Sequence, residues 1–169
     1  NRAKKREERA KAAQVKKRDL TPLVPLSKFW RGGKAYPDTG LYNWILLRAV
    51  LHHVPGYVNR VAILSQAATL LAPGGHLAMA NWQFLNIPRL RRRILHWDTI
   101  GLTPEDVEAN DYLLDWRREG RGLRYVHLVD EAETRVLAQD SGLPIQSLYR
   151  ADGHTNDLTL YVIMSSARS

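Results

Sequence analysis

The sequence predicts an α/β protein built on a largely parallel sheet, and three stretches of it support this. Two short apolar runs flank a helical pattern between Tyr42 and Trp82, a second helical pattern runs from Asp130 to Ser141, and two strand-like runs follow at 145–150 and 158–164. A strand, a helix and a strand within about 40 residues form a βαβ unit, whose crossover is almost always right-handed. The fold should therefore be built from residue 42 onwards.

The βαβ unit is predicted in the following order. The first strand is expected at 45–51, where apolar residues run almost without interruption, as in parallel strands buried on both faces. Pro55 and Gly56 break the chain, and apolar residues recur at helical spacing from Val58 to Leu71. We expect Pro73-Gly74-Gly75 to end this helix, because proline does not continue it and glycine permits positive φ. A second buried strand is expected at 76–82.

The rest of the chain predicts an insertion, a helix and a hairpin. Residues 83–122 are less regular and should form an insertion after the second strand, with a short basic helix at 88–95. Asp130 is a suitable N-cap and Gly142 a suitable stop for a helix at 130–141. The apolar residues expected on its buried face are Ala132, Val136, Leu137 and Leu143. The turn-rich segment 152–157 predicts that the last two strands pair antiparallel.

The positive charge is concentrated at the amino-terminal end. Residues 1–18 contain nine Lys or Arg and two Glu, so they carry most of the net charge of +8. They have almost no apolar periodicity, which predicts a solvated helix or a disordered arm. Such an arm would neutralise phosphates in a salt-sensitive way, so RNA is an expected partner, through Lys4, Lys5 and Arg6 in particular.

Residues 19–41 are predicted to form an irregular connector, because proline and glycine are frequent in them. The apolar residues that would let the connector dock on a domain surface are Leu23, Val24, Leu26, Phe29 and Trp30. The chain has no cysteine, which excludes disulfides and thiolate metal sites. No apolar run approaches the roughly 18 residues of a membrane span, and we expect a cytoplasmic protein.

The order of these motifs resembles a known family. Ile45-Leu46-Leu47 leads into Val50-Leu51-His52-His53, and after a helix Leu71-Ala72-Pro73-Gly74-Gly75 precedes a strand. This resembles the fourth strand, fourth helix and fifth strand of class I S-adenosylmethionine-dependent methyltransferases. The helix at 130–142 and the closing hairpin would be the fifth helix, the sixth strand and the antiparallel seventh strand. The resemblance implies the C-terminal half of a Rossmann-like methyltransferase sheet, with S-adenosylmethionine as the cofactor.

A shorter match lies just before the predicted helix at 130–141. Arg124-Tyr125-Val126-His127-Leu128 resembles the corresponding segment of tRNA wobble-uridine methyltransferases that esterify a carboxymethyl group. Tyr125 would then approach a nucleobase by stacking or hydrogen bonding. This likeness makes tRNA the first expected methyl acceptor.

The cofactor-binding half of that family is not recognisable in the sequence. In the family the first strand normally ends in an acidic residue and a glycine-rich turn. Asp38-Thr39-Gly40 resembles this motif only weakly. The strand at 45–51 would then lack its usual neighbour, which leaves an apolar edge exposed to unwanted pairing. Segments preceding Asn1, a partner chain that completes the sheet, or the connector would cover this edge.

The resemblance selects candidate site residues. Residues at the carboxyl end of the first strand would line the cofactor's methionine end, and they are Leu47, Arg48, Ala49 and His53. His52 and His127 are candidate catalytic residues, since imidazole titrates near neutral pH. Candidates for binding the acceptor or nucleic acid are Asn81, Trp82, Arg91, Arg92, Arg93, Arg124 and Tyr125. Adjacent His52 and His53 cannot both point one way, so we expect no metal site.

These observations support three functional hypotheses. The first is methyl transfer from S-adenosylmethionine to tRNA or another RNA. The second is a non-catalytic RNA- or ribosome-associated module with a partial methyltransferase fold, and the third is a small-molecule methyltransferase. A carboxylate acceptor needs no catalytic base, whereas an amine acceptor has to be deprotonated.

Overall fold

The computed structural model describes residues 41–116 and 122–166. The predicted basic arm, with Lys4, Lys5 and Arg6, and residues 19–40 of the predicted connector lie outside these ranges. Within the described ranges, no helix is long and apolar enough to cross a membrane.

The described chain forms seven strands and three α-helices, with short 3-10 turns between some of them. In chain order they are β1 (Tyr42–Arg48), α1 (Tyr57–Leu70), β2 (Leu71–Trp82), α2 (Pro88–Arg91), β3 (Ile94–Leu95), β4 (Asp111–Trp116), β5 (Gly122–His127), α3 (Glu131–Ser141), β6 (Ile145–Ala151) and β7 (Thr159–Ser165). They build a four-stranded sheet of order β1-β2-β7-β6 and a three-stranded sheet of order β3-β4-β5.

The main sheet has the predicted topology. β1 and β2 are parallel, with Ile45 opposite Leu77, and α1 is the crossover between them. β7 runs antiparallel to both β2 and β6, as the predicted closing hairpin requires. β1 lies at the edge of the sheet, and among the described residues it pairs with β2 alone.

The segment Pro73-Gly74-Gly75 does not end the helix as expected. α1 ends at Leu70, and β2 already pairs from Leu71, which lies opposite Tyr42. The register shifts between Tyr42 and Trp44, so the two glycines form an irregularity inside the strand. A Cβ on Gly75 would lie 2.8 Å from the carbonyl oxygen of Tyr42, so the close approach of the two backbones requires glycine there.

Two further boundaries differ from the sequence prediction. The first strand ends at Arg48 instead of residue 51, because Ala49 adopts a left-handed φ of 57° and the chain turns into a 3-10 helix at Leu51–His53. The predicted basic helix at 88–95 is only the single turn α2, since Ile94 and Leu95 pair with β4.

α3 has the predicted caps, and its predicted buried face is confirmed at Leu137 and Leu143, which are fully buried. The Asp130 carboxylate accepts a hydrogen bond from the Glu133 amide, and Gly142 takes a left-handed φ of 68° at the other end. The buried residues are Thr134, Leu137, Ala138 and Ser141, while Ala132 and Val136 face solvent. The buried stripe differs from the apolar pattern because two of its members, Thr134 and Ser141, carry hydroxyl groups.

The main core lies between the sheet and the helices α1 and α3. Leu64 of α1 and Leu137 of α3 are fully buried against Leu77 and Val162 of the sheet. Side chains that alternate with Leu77 and Val162 point to the opposite face of the sheet. The second sheet has its own smaller core around Phe84, Leu114 and Val126.

Candidate active site at the carboxyl ends of the parallel strands

The parallel strands β1 and β2 end at the same edge of the main sheet. In open α/β sheets ligands bind beyond this edge, because the loops that follow the strands leave a crevice there. The 3-10 turn Leu51–His53 follows β1, and β5 of the second sheet packs against this turn. His53 Nδ1 donates a hydrogen bond to the Tyr125 carbonyl oxygen at 3.3 Å. The second sheet therefore lies over the carboxyl ends of the parallel strands.

His52 is buried beneath this contact. It is 4% exposed, and its ring lies 4.3 Å from that of His53 and 6.4 Å from that of Trp82. Burial, together with the charges of His53 and Arg124, lowers the pKa of His52 to about 4. Its Nδ1 has no hydrogen-bond partner among the described residues. His52 is thus a neutral, largely enclosed imidazole at physiological pH.

His53 is the exposed member of the histidine pair. Partial burial lowers its pKa, the hydrogen bond with Tyr125 opposes this, and the positive charge of Arg124 lowers the pKa further. Because Nδ1 donates to a carbonyl oxygen, the neutral ring carries its unprotonated acceptor nitrogen at Nε2. His53, predicted as a cofactor-binding residue, therefore keeps one ring nitrogen that can accept a proton.

The other residues predicted at the end of the first strand differ in accessibility. The Leu47 side chain packs against the helix-side core. Arg48 lies on the face of the sheet opposite the helices, near Tyr161. The hydrogen bond to Asp152 raises the pKa of Tyr161, and the positive charge of Arg48 partly opposes this rise. The amide of Ala49 donates to the Ala80 carbonyl oxygen at 3.0 Å and extends the parallel ladder by one bond.

The predicted acceptor residues are only partly brought together. Trp82 and Arg124 lie next to the histidine pair. Asn81 is fully buried at the end of β2, and neither polar atom of its side chain has a partner among the described residues. Arg91 and Arg92 are exposed where α2 ends, and the half-buried Arg93 contributes its carbonyl oxygen to the second sheet.

His127, the other predicted catalytic residue, is held between two carboxylates. Its Nδ1 lies 2.6 Å from Asp111 Oδ1 and its Nε2 lies 2.6 Å from Glu133 Oε2. Burial lowers its pKa, but the hydrogen bonds to the two carboxylates outweigh burial and raise the pKa overall. Since both ring nitrogens donate, His127 has no lone pair left to act as a base. The geometry gives it a structural role.

His127 belongs to a buried ionic network that joins four elements, β4, β5, α1 and α3. Glu133 of α3 also accepts a hydrogen bond from Arg60 Nε at 2.8 Å, and Arg60 of α1 is 1% exposed. Asp111 of β4 also accepts a 2.6 Å hydrogen bond from the hydroxyl of Tyr125. The network therefore ties the second sheet, which carries Tyr125, to both helices of the main core.

Glu108 completes this network from the loop before β4. Its Oε2 accepts a hydrogen bond from Arg60 Nη2 at 2.8 Å, and its Oε1 accepts one from the Tyr57 amide at 2.7 Å. Glu108, Asp111 and His127 present ligand atoms within 4.8 Å of one another, a spacing that a metal ion tolerates. Their carboxylates and imidazole are already engaged with Arg60, Tyr125 and one another, so we assign them a structural role.

Arg60, Glu108, Asp111 and Glu133 were not among the residues predicted from the sequence. The sequence does indicate that Arg60 is unusual. Tyr57, Arg60 and Leu64 follow helical spacing, so a charged residue lies on the apolar stripe of α1. A buried arginine requires acidic partners. Glu133 occupies the third position of α3 and could equally have been an ordinary helix-start glutamate.

Comparisons with known proteins support the fold. No known protein-family profile matches the sequence, and no curated protein matches it. Among solved structures, a S-adenosylmethionine-dependent methyltransferase from Methanosarcina mazei is similar with a TM-score of 0.58 and 20% identity, over 79% of this chain and 64% of the other. The CcbJ methyltransferase from Streptomyces caelestis gives a TM-score of 0.54 and 14% identity, over 79% of this chain and 64% of the other.

A third structure, a S-adenosylmethionine-dependent methyltransferase from Clostridium acetobutylicum, gives a TM-score of 0.52 and 8% identity, over 78% of this chain and 61% of the other. This chain spans less than two thirds of the length of each of the three structures. The described part of the protein has the α/β, Rossmann-like fold of S-adenosylmethionine-dependent methyltransferases, which confirms the predicted fold class.

Proposed function

We propose that the protein binds S-adenosylmethionine and transfers its methyl group to an acceptor held beyond the carboxyl ends of β1 and β2. The observation that carries this proposal is the histidine pair His52 and His53, placed directly after the first of two parallel strands in a methyltransferase fold. The second sheet supplies the opposite wall through Arg124 and Tyr125.

The described residues fit one side of a cofactor site. Leu47 and Arg48 end β1 and Ala49 follows it, and Asn81 and His52 have polar atoms without partners among the described residues. The adenosine would be held by a glycine-rich turn that follows a strand with an acidic residue at its end. Residues 41–116 and 122–166 contain no such turn. The proposal therefore requires that residues outside these ranges, or a partner chain, complete the site.

Bound S-adenosylmethionine would supply an activated methyl group, so the protein's main task is to position the acceptor. Nε2 of neutral His53 can accept the proton that an amine acceptor has to release. Its lowered pKa favours the neutral form of His53. Arg124 would favour an acceptor that carries negative charge or an electron-rich edge.

A more specific proposal is that the methyl acceptor is RNA. The exposed Arg91 and Arg92, and the predicted basic arm outside the described residues, support it. The likeness of Arg124–Leu128 to tRNA wobble-uridine methyltransferases points to a carboxymethyl ester as the product. Against it, the stretch from Trp97 to Asp115 contains six acidic residues and no Lys or Arg, which would repel phosphates. This repulsion favours the alternative of a small-molecule acceptor.

Calorimetric titration of the full chain with S-adenosylhomocysteine tests the cofactor part of the proposal. We expect measurable binding that S-adenosylmethionine displaces. Absence of binding would refute the proposal and favour the second hypothesis, a non-catalytic RNA-binding module. That alternative predicts RNA affinity that falls with salt, by a slope of about 0.7 per phosphate contact for a single strand, and that disappears when residues 1–18 are deleted.

The role of His53 is tested by comparing His53→Gln with His154→Gln, which changes an exposed histidine in the hairpin turn. With an amine acceptor, we expect methyl transfer by His53→Gln to fall by about 10²-fold or more while cofactor affinity is retained. The residual activity should also lose the ascending limb of its pH profile. An unchanged rate and pH profile would exclude His53 as the proton acceptor.

A further inference from the structure

One face of the main sheet has no covering layer among the described residues. Residues directly opposite one another on neighbouring strands share a face. Leu46 lies opposite Ala78, Ala78 opposite Ile163, and Tyr161 opposite Tyr149, so these side chains alternate with the core and point away from α1 and α3. We call this surface, together with Trp44, the open face.

The open face is mostly apolar and accessible, and the exposed Arg48 at the end of β1 is a charged residue on it. Leu46 is 71% exposed, Trp44 is 54% exposed and Tyr149 is 49% exposed. The rings of Tyr149 and Tyr161 stack with their centroids 5.3 Å apart. Strands of a parallel pair are normally buried on both faces, and a contiguous exposed apolar patch marks a contact surface. This surface therefore requires an occupant.

We propose that the occupant is the chain's own connector, of which residues 19–40 lie outside the described residues. Five of the eight residues from Leu23 to Trp30 are aliphatic or aromatic, a density that suits a segment packed on an apolar surface. This segment joins the described chain at Leu41, directly before β1, which is the edge strand of the open face.

The length of the connector is sufficient. Between Trp30 and Leu41 the chain has ten residues, which span up to about 33 Å when extended. β1 has seven residues, or about 23 Å, and three strand spacings across the sheet amount to about 14 Å. Gly32, Gly33 and Gly40 permit the reversal that brings Trp30 back over the strands.

Covalent attachment favours the connector over a second copy of the chain. A tethered segment of this length meets the surface at an effective concentration in the millimolar range, whereas a second copy has to bind from dilute solution. The two occupants make different predictions for dilution. Docking of the connector is independent of protein concentration, while pairing of two open faces weakens on dilution.

The absence of cysteine from the chain allows a direct test with single cysteines. Leu46→Cys places a thiol on the open face, and Val58→Cys places one on the solvent side of α1. The two positions are matched controls, since Leu46 is 71% exposed and Val58 is 76% exposed. We expect maleimide to label Leu46→Cys at least about tenfold more slowly than Val58→Cys in the full chain, at every protein concentration.

A second cysteine identifies the occupant. Ser27→Cys lies among the apolar connector residues and changes none of them. A short bismaleimide should join it to Leu46→Cys within one chain, and should not join it to Val58→Cys. Tyr149→Cys provides an independent position on the same face, to be used with circular dichroism in case Leu46→Cys disturbs folding.

Two results would overturn the proposal. Equal labelling rates at positions 46 and 58, with no cross-link to position 27, would show that the face is open to solvent. Cross-linked dimers of Leu46→Cys, with protection that is lost on dilution, would assign the face to a second copy of the chain.

Discussion

The buried imidazole of His127 provides the most direct test of how the second sheet is held in place. Replacing it in His127→Ala leaves Asp111 and Glu133, whose side chains are 5% and 13% exposed, without the cation between them. Removing one member of a buried ion pair typically destabilises a protein by about 3–5 kcal/mol, because the remaining charge is poorly solvated.

The structure places the expected loss at the lower end of this range. Asp111 keeps hydrogen bonds from the Tyr125 hydroxyl and the Glu108 amide, and Glu133 keeps its bond from Arg60. We therefore expect a loss of about 3 kcal/mol in the free energy of unfolding, and a fall of roughly 10 °C in Tm. Urea unfolding and thermal melts followed by circular dichroism measure both quantities.

The control for this experiment is His154→Ala, which removes an exposed histidine and should change stability by less than about 0.5 kcal/mol. His127→Gln keeps one donor and should fall between the wild type and His127→Ala. A loss below about 1 kcal/mol for His127→Ala would refute the argument, because it would mean that the two carboxylates are solvated without the imidazole.

The same network predicts how stability depends on pH. The pKa of His127 is raised in the folded protein, so its contribution is fully present below the unfolded value near 6.5 and is lost as pH rises through the folded pKa. Burial raises the pKa of Asp111, but hydrogen bonds from His127 and Tyr125 lower it overall, so its contribution is lost at acidic pH. Comparing unfolding free energies at about pH 6 and pH 9 should show a fall in the wild type that His127→Ala lacks.

Three further substitutions test local features of the fold by the same unfolding measurements. Gly75→Ala should lower the free energy of unfolding by about 2 kcal/mol or more, because its Cβ would lie 2.8 Å from a backbone carbonyl oxygen. Gly74 has open space around it and a φ of +70°, so Gly74→Ala should lower the free energy of unfolding by only about 1 kcal/mol. The reverse order would contradict the close approach of β1 and β2. Asp130→Ala should lose about 1 kcal/mol with its N-cap bond, and an unchanged stability would show that solvent replaces the cap. Arg150→Ala removes ion pairs to two carboxylates, but the Arg150 side chain is 32% exposed. We therefore expect the free energy of unfolding to fall by less than about 1 kcal/mol, and by less still in high salt. A larger loss that does not depend on salt would indicate that the aliphatic part of the Arg150 side chain contributes by packing.

The sequence by itself determined the fold class, because the signals behind it are local. Apolar periodicity located α1, the Asp130 cap and Gly142 fixed the ends of α3, and the turn-rich segment 152–157 predicted the antiparallel hairpin. Each of these features depends on neighbouring residues and on backbone preferences that hold wherever the segment lies in the fold.

Tertiary structure decided the features that depend on contacts between distant segments. The parallel pairing of β2 with Tyr42 drew Leu71–Gly75 into the strand, although the same residues locally favour a helix end. Arg60 and Glu133 are hydrogen-bonded although they are 73 residues apart in the sequence, so the local sequence around either residue does not identify its partner. The contacts of the histidines have the same cause: His53 is hydrogen-bonded to the Tyr125 carbonyl oxygen, and two carboxylates engage both nitrogens of His127.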